Sequence, residues 1–203
     1  MDSYEIEVKF YIADTMPQIR ENILALGAKP LGCVFESNIL FEDEARSLRK
    51  KNCLLRLRKD SKTKLTFKST PVAADSQFKI RRELEVEVSD FSKMNSILEA
   101  LGFRKEQIYE KRREDFVLDS TIFCMDTMPY GNFLEIEGEK ENIRPLAEQI
   151  GLKWEQRILT SYLGIFAFIR QQLNLNFSDP TFDNFKTVNA DFGKYIEKVR
   201  NEK

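Results

Sequence analysis

The sequence predicts an α+β fold in which an antiparallel sheet closes into a barrel and helices pack outside it. Three observations lead there. Six stretches alternate strictly between apolar residues and charged or polar ones, and two more do so weakly, which is the period of half-buried strands. Stretches of helical period lie between them. Whole strands carry one sign of charge on one face, where a face turned to water usually mixes signs so that neighbours pair.

Taken in order, "EIEVKF" (5–10) sets Glu5, Glu7 and Lys9 against Ile6, Val8 and Phe10. "TMPQIRENILALG" predicts a helix with Thr15 as N-cap, Pro17 in its first turn and a stop at Gly27. "FESNILF" (35–41) is a weaker strand candidate. "LLRLRK" (54–59) places Arg56 and Arg58 on one face, and "KLTFK" (64–68) does the same for Lys64, Thr66 and Lys68. "RRELEVEV" (81–88) sets Glu83, Glu85 and Glu87 against Leu84, Val86 and Val88. A second helix runs through "DFSKMNSILEALG", from Asp90 to Gly102. "YEKRREDFV" carries Lys111 and Arg113 on one parity, "TIFCMD" (121–126) is a weaker strand closed by Asp126, and "FLEIEGE" sets Glu135 and Glu137 against Leu134 and Ile136. "ENIRPLAEQIG" predicts a third helix ending at glycine, with Pro145 near its start. "TSYLGIFAFIRQQLNL" is apolar almost all round and therefore a buried helix. Then follows "NFSDPTFDNF", read as a phenylalanine-punctuated loop. A last amphipathic helix carries Phe185, Val188, Phe192 and Ile196 as its stripe. The expected division is a tunnel domain over 1–175 and a helical extension over 176–203.

Composition narrows the function. The net charge is −1 although 32% of the 203 residues are charged, so no global basic field points to nucleic acid. No apolar run is long enough to span a bilayer. Histidine is absent, which removes imidazole catalysis and His-ligated metals, so any metal must be hard and oxygen-bound. Cys33, Cys53 and Cys124 form no CxxC and no even framework, which fits a reducing cytoplasm. Cys53 and Cys124 read as small packed residues, and Trp154 and the Phe-rich tail as core and lid packing. "KVRNEK" reads as a solvated helix end.

A barrel would turn the charged faces into a lumen. Adjacent carboxylates there repel one another, and desolvated charge is costly without a partner. Segregated rows would leave one region short of cations and another short of anions. A metal-chelated triphosphate supplies both.

The strand "EIEVKF" is an E-x-E-x-K motif, and with "LLRLR", "LTFKS", "RRELEVEV", "EKRRE", Asp126 and "GNFLEIEGE" in that order the chain resembles the CYTH family, or triphosphate tunnel metalloenzymes. "VSDFSKMNSILEALGF", "KRREDF" and "YGNFLEIEG" look most like its class IV adenylyl cyclase branch, and the likeness covers about residues 4–170. The resemblance implies a closed eight-stranded antiparallel tunnel that binds a triphosphate with Mg²⁺ or Mn²⁺. It implies Glu5, Glu7, Glu135 and Glu137 as metal-side acids, joined by Glu83 or Glu85, with Asp126 completing the acidic wall. Lys9, Arg56, Arg58, Lys68, Lys111 and Arg113 would hold phosphates. Glu5, Glu7 and Lys9 would stand closest to the chemistry, and the general base is a carboxylate, a lysine such as Lys9, or metal-bound hydroxide. One departure is "SNILF", with Asn38 and Leu40 where the family commonly has an Asp and a Tyr. The implied reaction is conversion of ATP to cyclic AMP and pyrophosphate. The alternatives are hydrolysis of inorganic triphosphate, thiamine triphosphate or a nucleoside triphosphate, and non-catalytic polyphosphate or nucleotide binding. Neither nucleic acid nor membrane is an expected partner, and a homodimer is compatible with the sequence.

Overall fold

The computed structural model describes residues 3–70 and 75–201. The strands are β1 (Ser3–Tyr11), β2 (Lys29–Glu42), β3 (Leu54–Lys59), β4 (Thr63–Ser69), β5 (Lys79–Glu87), β6 (Arg104–Leu118), β7 (Thr121–Met128), β8 (Gly131–Glu137) and β9 (Arg157–Ile158). The helices are α1 (Met16–Ala25), α2 (Ser47–Lys50), α3 (Phe91–Ala100), α4 (Lys140–Gln149), α5 (Tyr162–Leu173), α6 (Phe182–Phe185) and α7 (Phe192–Asn201). The sheet order is β5-β4-β3-β2-β6-β7-β8-β1-β9, and pairing of β1 with β5 closes the first eight strands into an antiparallel barrel. Closure runs from Ser3↔Glu83 to Glu7↔Lys79; beyond it, the short β9 takes over that edge of β1 at Lys9 and Phe10.

The outer parity of the strands is apolar and helices cover most of it. α1 and α4 lay Ile19, Ile23, Ile143 and Ala147 on Val8, Phe10, Phe123, Met125, Leu134 and Ile136, with Trp154 at the margin. α3 covers Ile39, Phe41 and Leu57 with Leu98. Asp90 caps α3 by accepting from the Lys93 amide, as its position before the apolar run predicts. Thr15 does not cap α1 in that way. Its hydroxyl donates to the Ile12 carbonyl and finishes a short 3₁₀ turn. α4 starts at Lys140 and carries Pro145 in its interior, so the helix forgoes one backbone bond there while burying Ile143 and Ala147. The outer face of β5 is left open, with Leu84 at 47% and Val86 at 56% exposure.

The inner parity is charged along most of each strand and changes to apolar at one end. Lys9 gives way to Tyr11, Asn38 to Leu40, Lys111 to Tyr109, Asp126 to Met128 and Glu135 to Phe133. Those apolar ends meet a plug made by the last fifth of the chain: Tyr162, Ile165, Phe166 and Ile169 from α5, Phe185 from α6, and Ile196 and Val199 from α7. Residues 176–185 are therefore not a bare loop. They contain α6 and lie along the free edge of β6, where the Pro180 carbonyl accepts from the Glu110 amide and Asp179 accepts from the Ile108 amide. The final helix begins at Phe192, so the expected stripe divides: Phe185 belongs to α6, and Phe192 and Ile196 to α7.

The Phe185 ring sits 5.9 Å from Tyr130 and 5.3 Å from Phe177. Phe185→Ala is expected to destabilise the protein by about 3 kcal/mol, the scale of a truncated core aromatic. Urea denaturation checks this, and a loss below about 1 kcal/mol would mean that the tail adds no core.

Candidate active site

The barrel encloses a cavity of about 830 Å³ lined by nine acidic and nine basic side chains. Every candidate site residue lies on this lumen or directly beneath it, whereas Glu87 of the same charged face is exposed and pairs with Lys62. Glu5, Glu7, Arg56, Arg58, Lys68, Glu83, Glu85, Lys111, Arg113, Glu135 and Glu137 line it. Lys9 and Asp126 lie under its floor, 2% and 0% exposed. The period of two explains why: each sits on the parity opposite the helix-covered residues of its strand.

The lumen is not divided into uncompensated acidic and basic regions, as like-signed strands alone suggest. The antiparallel order sets strands of opposite sign beside one another. Lys68 Nζ lies 2.5 Å from Glu5 Oε2 and 2.6 Å from Glu83 Oε2. Lys79 Nζ is 2.5 Å from Glu7 Oε1 and Lys64 Nζ is 2.7 Å from Glu85 Oε1. Glu83 and Glu85 differ in their surroundings: Glu83 shares Lys68 with Glu5, whereas Glu85 sits among Lys64, Thr66 and Arg56.

On the opposite wall Glu36 faces Arg58 at 3.4 Å, Lys111 at 3.6 Å and Arg113 at 4.0 Å. Burial pushes its carboxyl up, but Lys111, Arg113, Arg58 and Arg56 overcome this and hold it at about 2. Arg56 donates to the Tyr109 hydroxyl and to Thr66, leaving its buried Nε without an acceptor among the described residues. Asn38, where the family pattern differs, is buried beside Glu36, and Leu40 packs against the plug.

The floor is a second network. Asp126 accepts from Arg113 Nε at 2.7 Å, from Lys111 Nζ at 3.2 Å and from the Tyr162 hydroxyl at 2.7 Å. Arg113 also reaches Glu135 at 2.6 Å, and Lys9 holds the other oxygen of Glu135 at 2.9 Å. The ammonium of Lys9 lies 4.0 Å from the centre of the Tyr162 ring. Burial and Asp126 push the Tyr162 hydroxyl well above its ordinary range, so it stays a donor. Cys124 lines the cavity, but burial pushes its thiol well up and leaves it inert.

Glu137 is the exception to this pairing. Among the described residues no basic side chain stands within ion-pair distance of it. Burial, Glu5 and Glu7 push it up to about 7, against the opposing pull of Lys68. An acid left short of positive charge beside Glu5, Glu7 and Glu83 suits a hard, oxygen-seeking cation. No three carboxylates converge into a ready-made metal cage among the described residues, because Lys68 and Lys79 stand between them.

Sequence reasoning did not single out Glu36, Lys64, Lys79 or Tyr162 for the site. Lys64 and Lys79 share parity with residues it did name, so that signal was present. Tyr162 reaches Asp126 only through the fold, and nothing local marks it.

Glu137 also makes a stability test. Its folded pKa lies above its unfolded one, so its ionisation opposes folding above pH 7 and costs nothing below about pH 4.5. Glu137→Gln is expected to stabilise the fold by ~1–3 kcal/mol at pH 8 and to lose that advantage near pH 4. Thermal melts of the two proteins at both values check the sign.

Comparison with known proteins adds an independent line. The family model described as CYTH domain matches residues 3–160. The protein named "Putative adenylate cyclase MJ0240" of Methanocaldococcus jannaschii is 31% identical over 135 residues, which is 66% of this chain and 75% of that protein. Among solved structures, PH1012 of Pyrococcus horikoshii superposes with a TM-score of 0.63 at 30% identity, covering 78% of this chain and 96% of that one. The protein named "Putative adenylyl cyclase HpAC1" of Hippeastrum, described as having a dominant triphosphatase activity, superposes at 0.57 with 21% identity over 83% of this chain and 96% of its own.

Proposed function

Because the chain belongs to the CYTH family, we propose that its lumen binds a linear triphosphate with Mg²⁺ or Mn²⁺ and that the protein catalyses transfer at phosphorus. One observation carries the reading: basic side chains converge on a blind cavity whose acidic side retains a carboxylate, Glu137, with no basic side chain within ion-pair distance among the described residues. Phosphoryl and nucleotidyl transfer need positioning and charge neutralisation more than covalent help, and this lumen is built of both.

The roles follow from position. Arg56, Arg58, Lys64, Lys111 and Arg113 hold phosphate oxygens, the arginines through their forked donors. Asp126, with Tyr162 behind it, orients Lys111 and Arg113. Lys9 and Arg113 fix Glu135 from two sides. Glu5, Glu7, Glu83 and Glu137 are the acids that would hold the cation. Bound there, a divalent cation neutralises phosphate charge and makes phosphorus more electrophilic.

The reaction we assign is that of the class IV adenylyl cyclases, in which the ribose 3′-hydroxyl of ATP attacks the α-phosphorus and pyrophosphate leaves. The relative from M. jannaschii, with its cyclase name, supports it. Hydrolysis is the second reading, favoured by one feature of the cavity. Its only aromatic linings among the described residues, Tyr109 and Tyr162, stand at the floor, so the mouth offers no ring on which a base would stack. HpAC1, which likewise bears a cyclase name, is described as mainly a triphosphatase.

Phosphorus NMR of the protein with diamagnetic Mg²⁺ and either ATP or inorganic triphosphate decides between them, with parallel Mn²⁺ reactions read after the metal is removed by a chelator. Cyclic AMP with pyrophosphate is the expected outcome, orthophosphate transfers the assignment to hydrolysis, and silence in both tubes overturns the enzyme reading. Glu137→Gln should lower turnover by about 100-fold, whereas Arg56→Ala should act chiefly on KM, raising it about tenfold.

A further inference from the structure

The carboxylates that would hold the cation already hold lysines. Glu7 and Lys79 are directly paired across the seam that closes the barrel, and Glu83 and Lys68 are paired across β4 and β5. Their ammonium groups lie 2.5 Å and 2.6 Å from those acids, and all four residues line the cavity. Lys79 falls outside the motif positions that marked the tunnel in the sequence.

We propose that Lys79 is a resident occupant of the cation site: its ammonium neutralises Glu7 until a divalent cation replaces it, and the released ammonium then turns to the triphosphate. Lys68 plays the same part between Glu5 and Glu83. The inference rests on the triphosphate–cation reading above and adds a coupling between the two ligands.

Three physical points support it. An ammonium and a dication compete for the same carboxylate lone pairs, and holding both beside Glu7 sets like charges against one another. Lysine is suited to moving, because its charge is a compact point on a flexible four-carbon stem with three rotatable donors. Its new partner must be an anion, since a displaced charge inside the lumen is costly without one. The lining itself is balanced at nine acids and nine bases. A dication alone, or a triphosphate alone, upsets that balance more than the two together. Uptake of one therefore favours uptake of the other, reciprocally.

The test reads metal binding without turnover. Mn²⁺ is titrated into triphosphate-free protein and free Mn²⁺ is followed by electron paramagnetic resonance; inorganic triphosphate is then titrated calorimetrically at saturating Mn²⁺. Lys79→Met is expected to bind Mn²⁺ about tenfold more tightly and triphosphate about tenfold more weakly, opposite signs that general damage would not produce. Lys79→Arg, which keeps the charge, should stay close to wild type in both, and Lys79→Gln replaces the Met variant if that one does not fold. Chelation of Mn²⁺ by free triphosphate is common to all variants and cancels between them. Unchanged or weaker Mn²⁺ binding in the neutral variant overturns the resident-cation role. Tighter Mn²⁺ with unchanged triphosphate binding overturns the transfer of Lys79 to phosphate. If wild type takes up neither Mn²⁺ nor triphosphate, the tunnel reading itself fails, and this inference with it.

Discussion

Charge taken out of water has to meet opposite charge, and that constraint organises this barrel. Closing β1 onto β5 turns the polar parity of eight strands inward, so the lumen must neutralise itself or unfold. It does so by strand order. The acidic face of β1 lies between Lys79 of β5 on one side and β8 on the other, and Glu83 of β5 lies beside Lys68 of β4. Where β1 meets β8, two acidic strands are neighbours, and there the compensation fails at Glu137. The place of poorest balance is thus a consequence of topology, and it is the side of the lumen to which we assign the cation.

The apolar end of the barrel serves the charged end. Asp126, which accepts from Arg113 and Lys111, also accepts from Tyr162, and Tyr162 stands there because α5 begins at that point. The Tyr130 hydroxyl donates to the Tyr162 carbonyl, and Tyr130 packs on Phe166 and Phe185. The last helices, by holding this aromatic cluster, fix the floor on which the basic side chains rest. Sequence-distant packing and site geometry are here one system, since a buried hydrogen bond to a carboxylate keeps its geometry only if its donor is itself immobile.

Much of the fold is legible in the chain. Eight strands with two faces can be read from "EIEVKF", "LLRLRK", "RRELEVEV" and their counterparts, because side chains alternate strictly across a pleated strand. α1, α3 and α4 stop at Gly27, Gly102 and Gly151, whose φ values of +88°, +91° and +91° favour glycine. β9, α6 and the late start of α7 were not legible. A two-residue strand and a one-turn helix carry too few residues for periodicity, and tertiary contacts define them.

For the site, parity alone brought Glu5, Glu7, Arg56, Arg58, Lys111, Arg113, Glu135 and Glu137 to one surface, because a strand has only two faces and the apolar one must be covered. Parity could not say which charges neutralise which. That depends on which strands are neighbours, so Lys79 with Glu7, Lys68 between Glu5 and Glu83, and Glu36 among four cations emerge only when the barrel closes. The sequence by itself determined which charged positions of the alternating strands share one face. Only the tertiary structure decided the pairing of the lumen, its blind end under Tyr162 and the position of Glu137, left without an ion pair among the described residues, because Coulomb interactions follow distance in space and not order along the chain.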